Sequence, residues 1–181
     1  AYWRAKQYAQ AIEALQRALR LNPEAANTWA FLGINYEGVN QHTKALEAYQ
    51  QSLRFDPEDS KVWQRLGSAF LRTGQHAKAI ESYQQAIRLN PEDASSLFFL
   101  GMVYDATGQP AKGIETLHNA LRINPEYSEA WHYLGVIYWK AKQSAKAIES
   151  FQQAVRINPE YISAWYNLGA NYKAAGQREQ V

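Results

Sequence analysis

The sequence predicts an all-α fold, a solenoid of antiparallel helical hairpins. Three observations carry that expectation. A 34-residue period runs through the 181 residues without an insertion. Each period holds two apolar stripes at helical spacing. A short Gly- or Asn-containing break parts the stripes, and a proline closes the period. Self-similarity at such a period is the signature of a repeat architecture.

The period is plainest in the column Trp29, Trp63, Leu97, Trp131 and Trp165. Three and four residues on stand Leu32-Gly33, Leu66-Gly67, Leu100-Gly101, Leu134-Gly135 and Leu168-Gly169. An aromatic column follows: Tyr2, Tyr36, Phe70, Tyr104, Tyr138 and Tyr172. These positions fall at i, i+3, i+4 and i+7, one face of a first helix. The break comes next, at Asn40-Gln41, Gly74-Gln75, Gly108-Gln109 and Gly176-Gln177. Gly or Asn there suits a left-handed helix C-cap. Lys6 and Lys142 occupy the same place and are expected to be strained or capped differently.

The second stripe joins a small column (Ala11, Ala45, Ala79, Gly113, Ala147), a bulky one (Leu15, Tyr49, Tyr83, Leu117, Phe151) and a second small one (Ala18, Ser52, Ala86, Ala120, Ala154). Small residues let the two helices approach, and the bulky ones fill the space between hairpins. One hairpin cannot bury its own apolar face, so hairpins must stack. Each second helix ends at Asn-Pro or Asp-Pro, with Pro23, Pro57, Pro91, Pro125 and Pro159. Proline disfavours helix in the residue before it and can open the next helix, where the following Glu would suit the N-terminal dipole. The chain is therefore read as a single solenoid over 1–181. It holds a partial repeat at 1–25, full repeats at 26–59, 60–93, 94–127 and 128–161, and a partial repeat at 162–181. Gly113 in a helix interior makes the third full repeat the expected soft joint.

Composition narrows the function. Hydrophobic residues make up 46% and charged residues 20%, with a net charge of +2 and no cysteine. That charge gives no electrostatic footprint for nucleic acid or an anionic membrane. There is no thiolate nucleophile and no Cys-based zinc site. No apolar run reaches the length of a membrane span, so no direct membrane insertion is expected. Residues 1–20 lack signal-peptide architecture, which leaves the compartment open between cytoplasm and cell envelope.

The pattern Trp-x2-Leu-Gly-x2-Tyr, then Ala-x3-aromatic-x2-Ala, then Pro, resembles the tetratricopeptide repeat (TPR) family over the whole chain. The Thr-Gly-Gln and Asn-Pro-Glu joints resemble bacterial-type tandem repeats. The resemblance implies a right-handed superhelical solenoid that works as a protein-protein interaction scaffold, with a concave groove for a peptide or protein segment.

Catalytic motifs are absent. His42, His76, His118 and His132 make no metal-binding spacing. The column Glu13, Glu47, Glu81, Glu115 and Glu149 is one carboxylate per hairpin, not a catalytic pair. Lys44, Lys78, Lys112 and Lys146 precede four of these by three residues, a helix-surface pairing. Arg20, Arg54, Arg88, Arg122 and Arg156 suit the C-terminal dipole. No phosphate loop, nucleophile elbow or dinucleotide fingerprint occurs. The expectation is a non-enzyme with no catalytic residue, cofactor or metal site.

The informative residues lie on a stripe of the first helices, one, five and eight residues after the start of the Trp column. By the resemblance, this stripe lines the concave groove. It reads Ala30, Ile34, Glu37; Gln64, Ser68, Leu71; Phe98, Met102, Asp105; His132, Val136, Trp139; Tyr166, Ala170, Lys173, with Trp3 ahead of them. The partner-binding residues expected are Ile34, Leu71, Phe98, Met102, His132, Val136, Trp139 and Tyr166, fringed by Arg72 and Lys140. Lys61, Lys173, Asp105 and Glu129 complete the fringe. The stripe lacks the Lys/Asn/Arg carboxylate clamp of chaperone-binding TPR domains. Phe31, Arg65, Phe99, Tyr133 and Asn167 do not form the Asn ladder of O-linked sugar transferase arms. The expected partner is an apolar or amphipathic segment. Two other readings stay open: the substrate-recruiting arm of a larger enzyme, and a self-assembling module joined through exposed terminal repeats.

Overall fold

The computed structural model describes residues 2–178, with side chains for 7–176. Trp3, on the expected stripe, lies outside the described side chains, as does Gln177. The described residues form helices only: α1 (Tyr2–Leu21), α2 (Ala26–Gly38), α3 (His42–Phe55), α4 (Ser60–Arg72), α5 (His76–Leu89), α6 (Ala94–Ala106), α7 (Pro110–Ile123), α8 (Ser128–Lys140), α9 (Ser144–Ile157) and α10 (Ile162–Arg178). None of them is long and apolar enough to cross a membrane. The chain divides into two compact units, Ala1–Glu92 and Asp93–Val181. The all-α hairpin fold expected from the columns is the fold observed.

Each turn inside a hairpin is a Schellman motif. The Gln that opens the second helix donates its backbone N–H back to the aromatic column: Gln41 to the Tyr36 carbonyl at 2.9 Å, Gln75 to Phe70 at 2.9 Å, Gln109 to Tyr104 at 2.8 Å and Gln143 to Tyr138 at 2.9 Å. The residue between takes the left-handed conformation: Asn40 at φ 59°, Gly74 at 73°, Gly108 at 77° and Lys142 at 59°. Lys142 is strained as expected, because a β-carbon crowds the carbonyl there. Lys142→Gly should therefore raise stability by about 1 kcal/mol, read as a higher denaturant midpoint with unchanged slope. Lys6 is different. It sits inside the continuous helix α1, where Arg4, Ala5, Lys6 and Gln7 are all good helix formers. Gly176 likewise lies within α10.

The joints between hairpins correct one expectation. The prolines do not open the next helix. Pro57, for example, precedes α4 by three residues, and Asp59 caps that helix by accepting the N–H groups of Lys61 and Val62. The glutamates after the prolines stay outside the first turn. Each donates its N–H to the Asn or Asp two residues earlier, in an Asx turn: Glu24 to Asn22, Glu58 to Asp56, Glu92 to Asn90, Glu126 to Asn124 and Glu160 to Asn158. The Trp column then latches the joint. Its indole N–H donates to the carbonyl of the proline six residues back, for Trp29, Trp63, Trp131 and Trp165, at 2.8–2.9 Å.

The Leu-Gly column is a seat for the bulky column. A β-carbon on Gly33 would stand 2.5 Å from the Tyr49 ring, on Gly67 3.0 Å from Tyr83, and on Gly135 2.7 Å from Phe151. In the α6–α7 hairpin Leu117 replaces the ring, and the backbones close the gap. A β-carbon on Gly113 would meet the Gly101 carbonyl at 2.9 Å. Gly113 is thus a close-packing position, which its low helix propensity alone does not reveal. The lysine column is also placed differently than expected. Lys44, Lys78, Lys112 and Lys146 rest over the rings of Tyr36, Phe70, Tyr104 and Tyr138 at 5.3–5.6 Å, instead of pairing with the glutamates. The buried Asn171 takes a position held by Ile137 and Val103 in earlier repeats, and its carbonyl oxygen has no hydrogen-bond partner.

Candidate functional site

The stripe on the first helices is half-buried by its neighbours within each unit, and its chemistry differs between the two.

In the first unit, Ile34 and Leu71 are half-buried and Arg72 is exposed. A cleft of about 200 Å³ opens between α2 and α4, lined by Ala30, Phe31, Ile34 and Val62 on its apolar side and by Asn27, Asp59, Lys61 and Arg65 on its polar side. Phe31 is 58% exposed there. Glu37 accepts the Tyr49 hydroxyl at 2.9 Å and faces the Arg65 guanidinium at 3.7 Å. Burial, and then the Glu37 charge, push the Tyr49 phenol far above its ordinary range. Ser68 and the Tyr83 hydroxyl share a bond of 2.9 Å, and burial pushes Tyr83 up to about 12. Both phenols are therefore neutral hydrogen-bonding groups at any physiological pH.

In the second unit, Phe98 is buried, with ring centroids 5.2 Å from Phe99, 5.0 Å from Tyr127 and 6.2 Å from Tyr133. It forms the floor beneath the face. Met102 and Val136 are half-buried and pack on the same core. Asp105 holds Lys140 at 2.8 Å and accepts the Tyr133 hydroxyl at 3.2 Å, so it ties α6 to α8. Burial first, then the Asp105 charge, push Tyr133 up to about 12. Trp139 and Tyr166 stand out, 56% and 76% exposed.

His132 is bonded on both ring nitrogens, Nδ1 to the Tyr161 hydroxyl at 3.2 Å and Nε2 to the Asn167 side-chain amide at 3.0 Å. Burial holds its pKa below the ordinary 6.5. The folded state therefore disfavours the imidazolium. The stability tied to neutral His132 is complete above pH 6.5 and declines as pH falls below it toward the folded value. His132→Gln should flatten the fall in melting temperature between neutral pH and about pH 5. An unchanged pH slope would contradict the buried neutral role.

The stripe thus separates into a floor (Phe98, Met102, Val136), tethered polar groups (His132, Lys140) and open contacts (Trp139, Tyr166 and, in the first unit, Arg72). Phe31 and Arg65 belong beside it, although they fall outside the stripe. The signal that finds them is the variable column two residues after the Trp column, which packing leaves free. Among the described residues no group of three metal-ligating side chains gathers.

Residues 35–181 match the family of the cilia and flagella-associated protein 70 C-terminal domain. Residues 1–60 match a tetratricopeptide repeat family. No curated protein sequence matches the chain. Among solved structures, MamA is 27% identical with a TM-score of 0.81, over 84% of this chain and 90% of that one. YrrB, described as a TPR protein with an unusual peptide-binding site, is 23% identical with a TM-score of 0.75, over 93% and 87%. PilF of Pseudomonas aeruginosa is 19% identical with a TM-score of 0.83, over 98% and 81%. These last two likenesses speak to the fold alone. The unbroken 34-residue register, the glycine seats under their rings and the family matches over the chain meet in one conclusion: the protein belongs to the tetratricopeptide repeat family, a family of protein-interaction scaffolds.

Proposed function

We propose that the protein holds an apolar or amphipathic peptide or protein segment against the exposed faces of its first helices, and that it does so without catalysing a reaction. The observation that carries this is the exposure of Trp139, whose counterparts one and two repeats earlier, Asp105 and Leu71, are half-buried. Aromatic side chains contribute most where a partner desolvates them. A half-buried apolar floor around Met102 and Val136 lies in the same unit. In the first unit the cleft beside Phe31 and Ile34 offers a second anchor point, with Lys61 and Arg65 at its rim.

Selection of a displayed random-peptide library on the full chain tests this reading. The expected outcome is a set of peptides sharing apolar anchors that compete with one another. Peptides that bind the Trp139→Ala, Tyr166→Ala and Phe31→Ala variants as tightly as the parent would remove these faces as the site.

A further inference from the structure

A second kind of site lies on the first unit, away from the stripe. Two clefts of about 520 and 590 Å³ occupy equivalent places one repeat apart. Each is bounded by a second helix and the hairpin that follows it: α1 with α2 and α3, then α3 with α4 and α5. The walls are an indole (Trp29, Trp63) and the ring of the aromatic column (Tyr36, Phe70). The charged lining repeats as well: Arg20 with Lys44 and Glu47, then Arg54 with Lys78 and Glu81.

The lysines rest over the column rings and the Arg54 guanidinium lies 5.7 Å from the Phe55 ring, but neither contact neutralises a charge. The arginines sit in the last turn of α1 and α3, where the dipole is served equally by Lys. Yet the column is Arg at all five positions, 20, 54, 88, 122 and 156. Arg differs from Lys in its planar fork, which matches a carboxylate, and in its ability to lie on aromatic faces. Among the described residues neither Arg20 nor Arg54 enters an ion pair with the glutamate of its own cleft. Each cleft therefore presents two cations against one carboxylate, beside a half-buried indole.

We propose that these two clefts bind an acidic peptide segment in which carboxylate side chains alternate with apolar ones. The guanidinium and ammonium receive the carboxylate, and the half-buried indole receives the apolar neighbour. The glutamate in each cleft repels a continuous polyanion, which favours spaced carboxylates over a nucleic-acid backbone. Two clefts one repeat apart engage one chain together and raise its affinity by effective concentration.

The test is fluorescence anisotropy of the full chain with a labelled peptide of Glu-Leu-Gly repeats and its Gln-Leu-Gly counterpart. The Glu peptide is expected to bind, with affinity falling as salt rises. The Gln peptide and the Arg20→Gln/Arg54→Gln variant should each lose about tenfold or more. The Trp139→Ala/Tyr166→Ala variant should bind as the parent does, which separates this proposal from the first-helix faces. Circular-dichroism melting of the arginine variant should match the parent. Absence of Glu-peptide binding, equal binding of the Gln peptide, an equal loss on Lys61→Gln/Arg72→Gln, or displacement of the Glu peptide by a single-stranded oligonucleotide at lower concentration would each overturn it.

Discussion

Gly135→Ala is expected to destabilise the second unit by about 1–3 kcal/mol, although Ala is the better helix former by up to about 1 kcal/mol. Gly135 lies inside α8, and a β-carbon there would stand 2.7 Å from the Phe151 ring. The methyl group must displace a ring that is itself buried on all sides. Equilibrium urea denaturation of the variant gives the sign directly. A gain in stability would mean that the column is kept for some reason other than the ring.

Trp139→Ala and Tyr166→Ala together are expected to weaken binding of a selected apolar peptide by about 1000-fold, with each an interface anchor of about 2 kcal/mol. Both side chains are more than half exposed, so their removal should leave the melting curve nearly unchanged. Phe98→Ala makes the useful contrast. Phe98 is a buried ring in contact with three others, and its truncation should cost about 3–5 kcal/mol of stability. Any loss of binding in that variant would follow from a damaged floor. Isothermal titration calorimetry beside a thermal melt separates the two effects.

The fold was legible because its determinants are local and repeated. Two helical stripes, a left-handed break and a proline recur at one spacing, and each recurrence confirms the others. The Leu-Gly column was legible as part of the packed stripe, but the side chain seated on Gly33, Gly67, Gly101 and Gly135 comes from 16 residues further on. The joints were less so. A Pro-Glu pair reads as a helix start, but the Asx turn and the indole latch occupy those residues first. The site was legible only in part. Phe98 and Trp139 sit on the same stripe by spacing, and what buries one and exposes the other lies elsewhere: Tyr127 and Tyr133 pack against Phe98. Lys140 reads as a free fringe charge until Asp105, 35 residues away, is seen to hold it. Pairings of that length carry no local signal.

NMR of the indole protons of the full chain, as a selected apolar peptide is added, shows directly whether the exposed first-helix face is where the peptide binds. The Trp column is the built-in control, because Trp29, Trp63, Trp131 and Trp165 have their indole N–H groups bonded to proline carbonyls at the joints. Trp139 lies on the exposed first-helix face. The Trp139 indole resonance is expected to shift with saturation while those four stay in place. A saturating shift confined to the column tryptophans, with Trp139 unmoved, would contradict it.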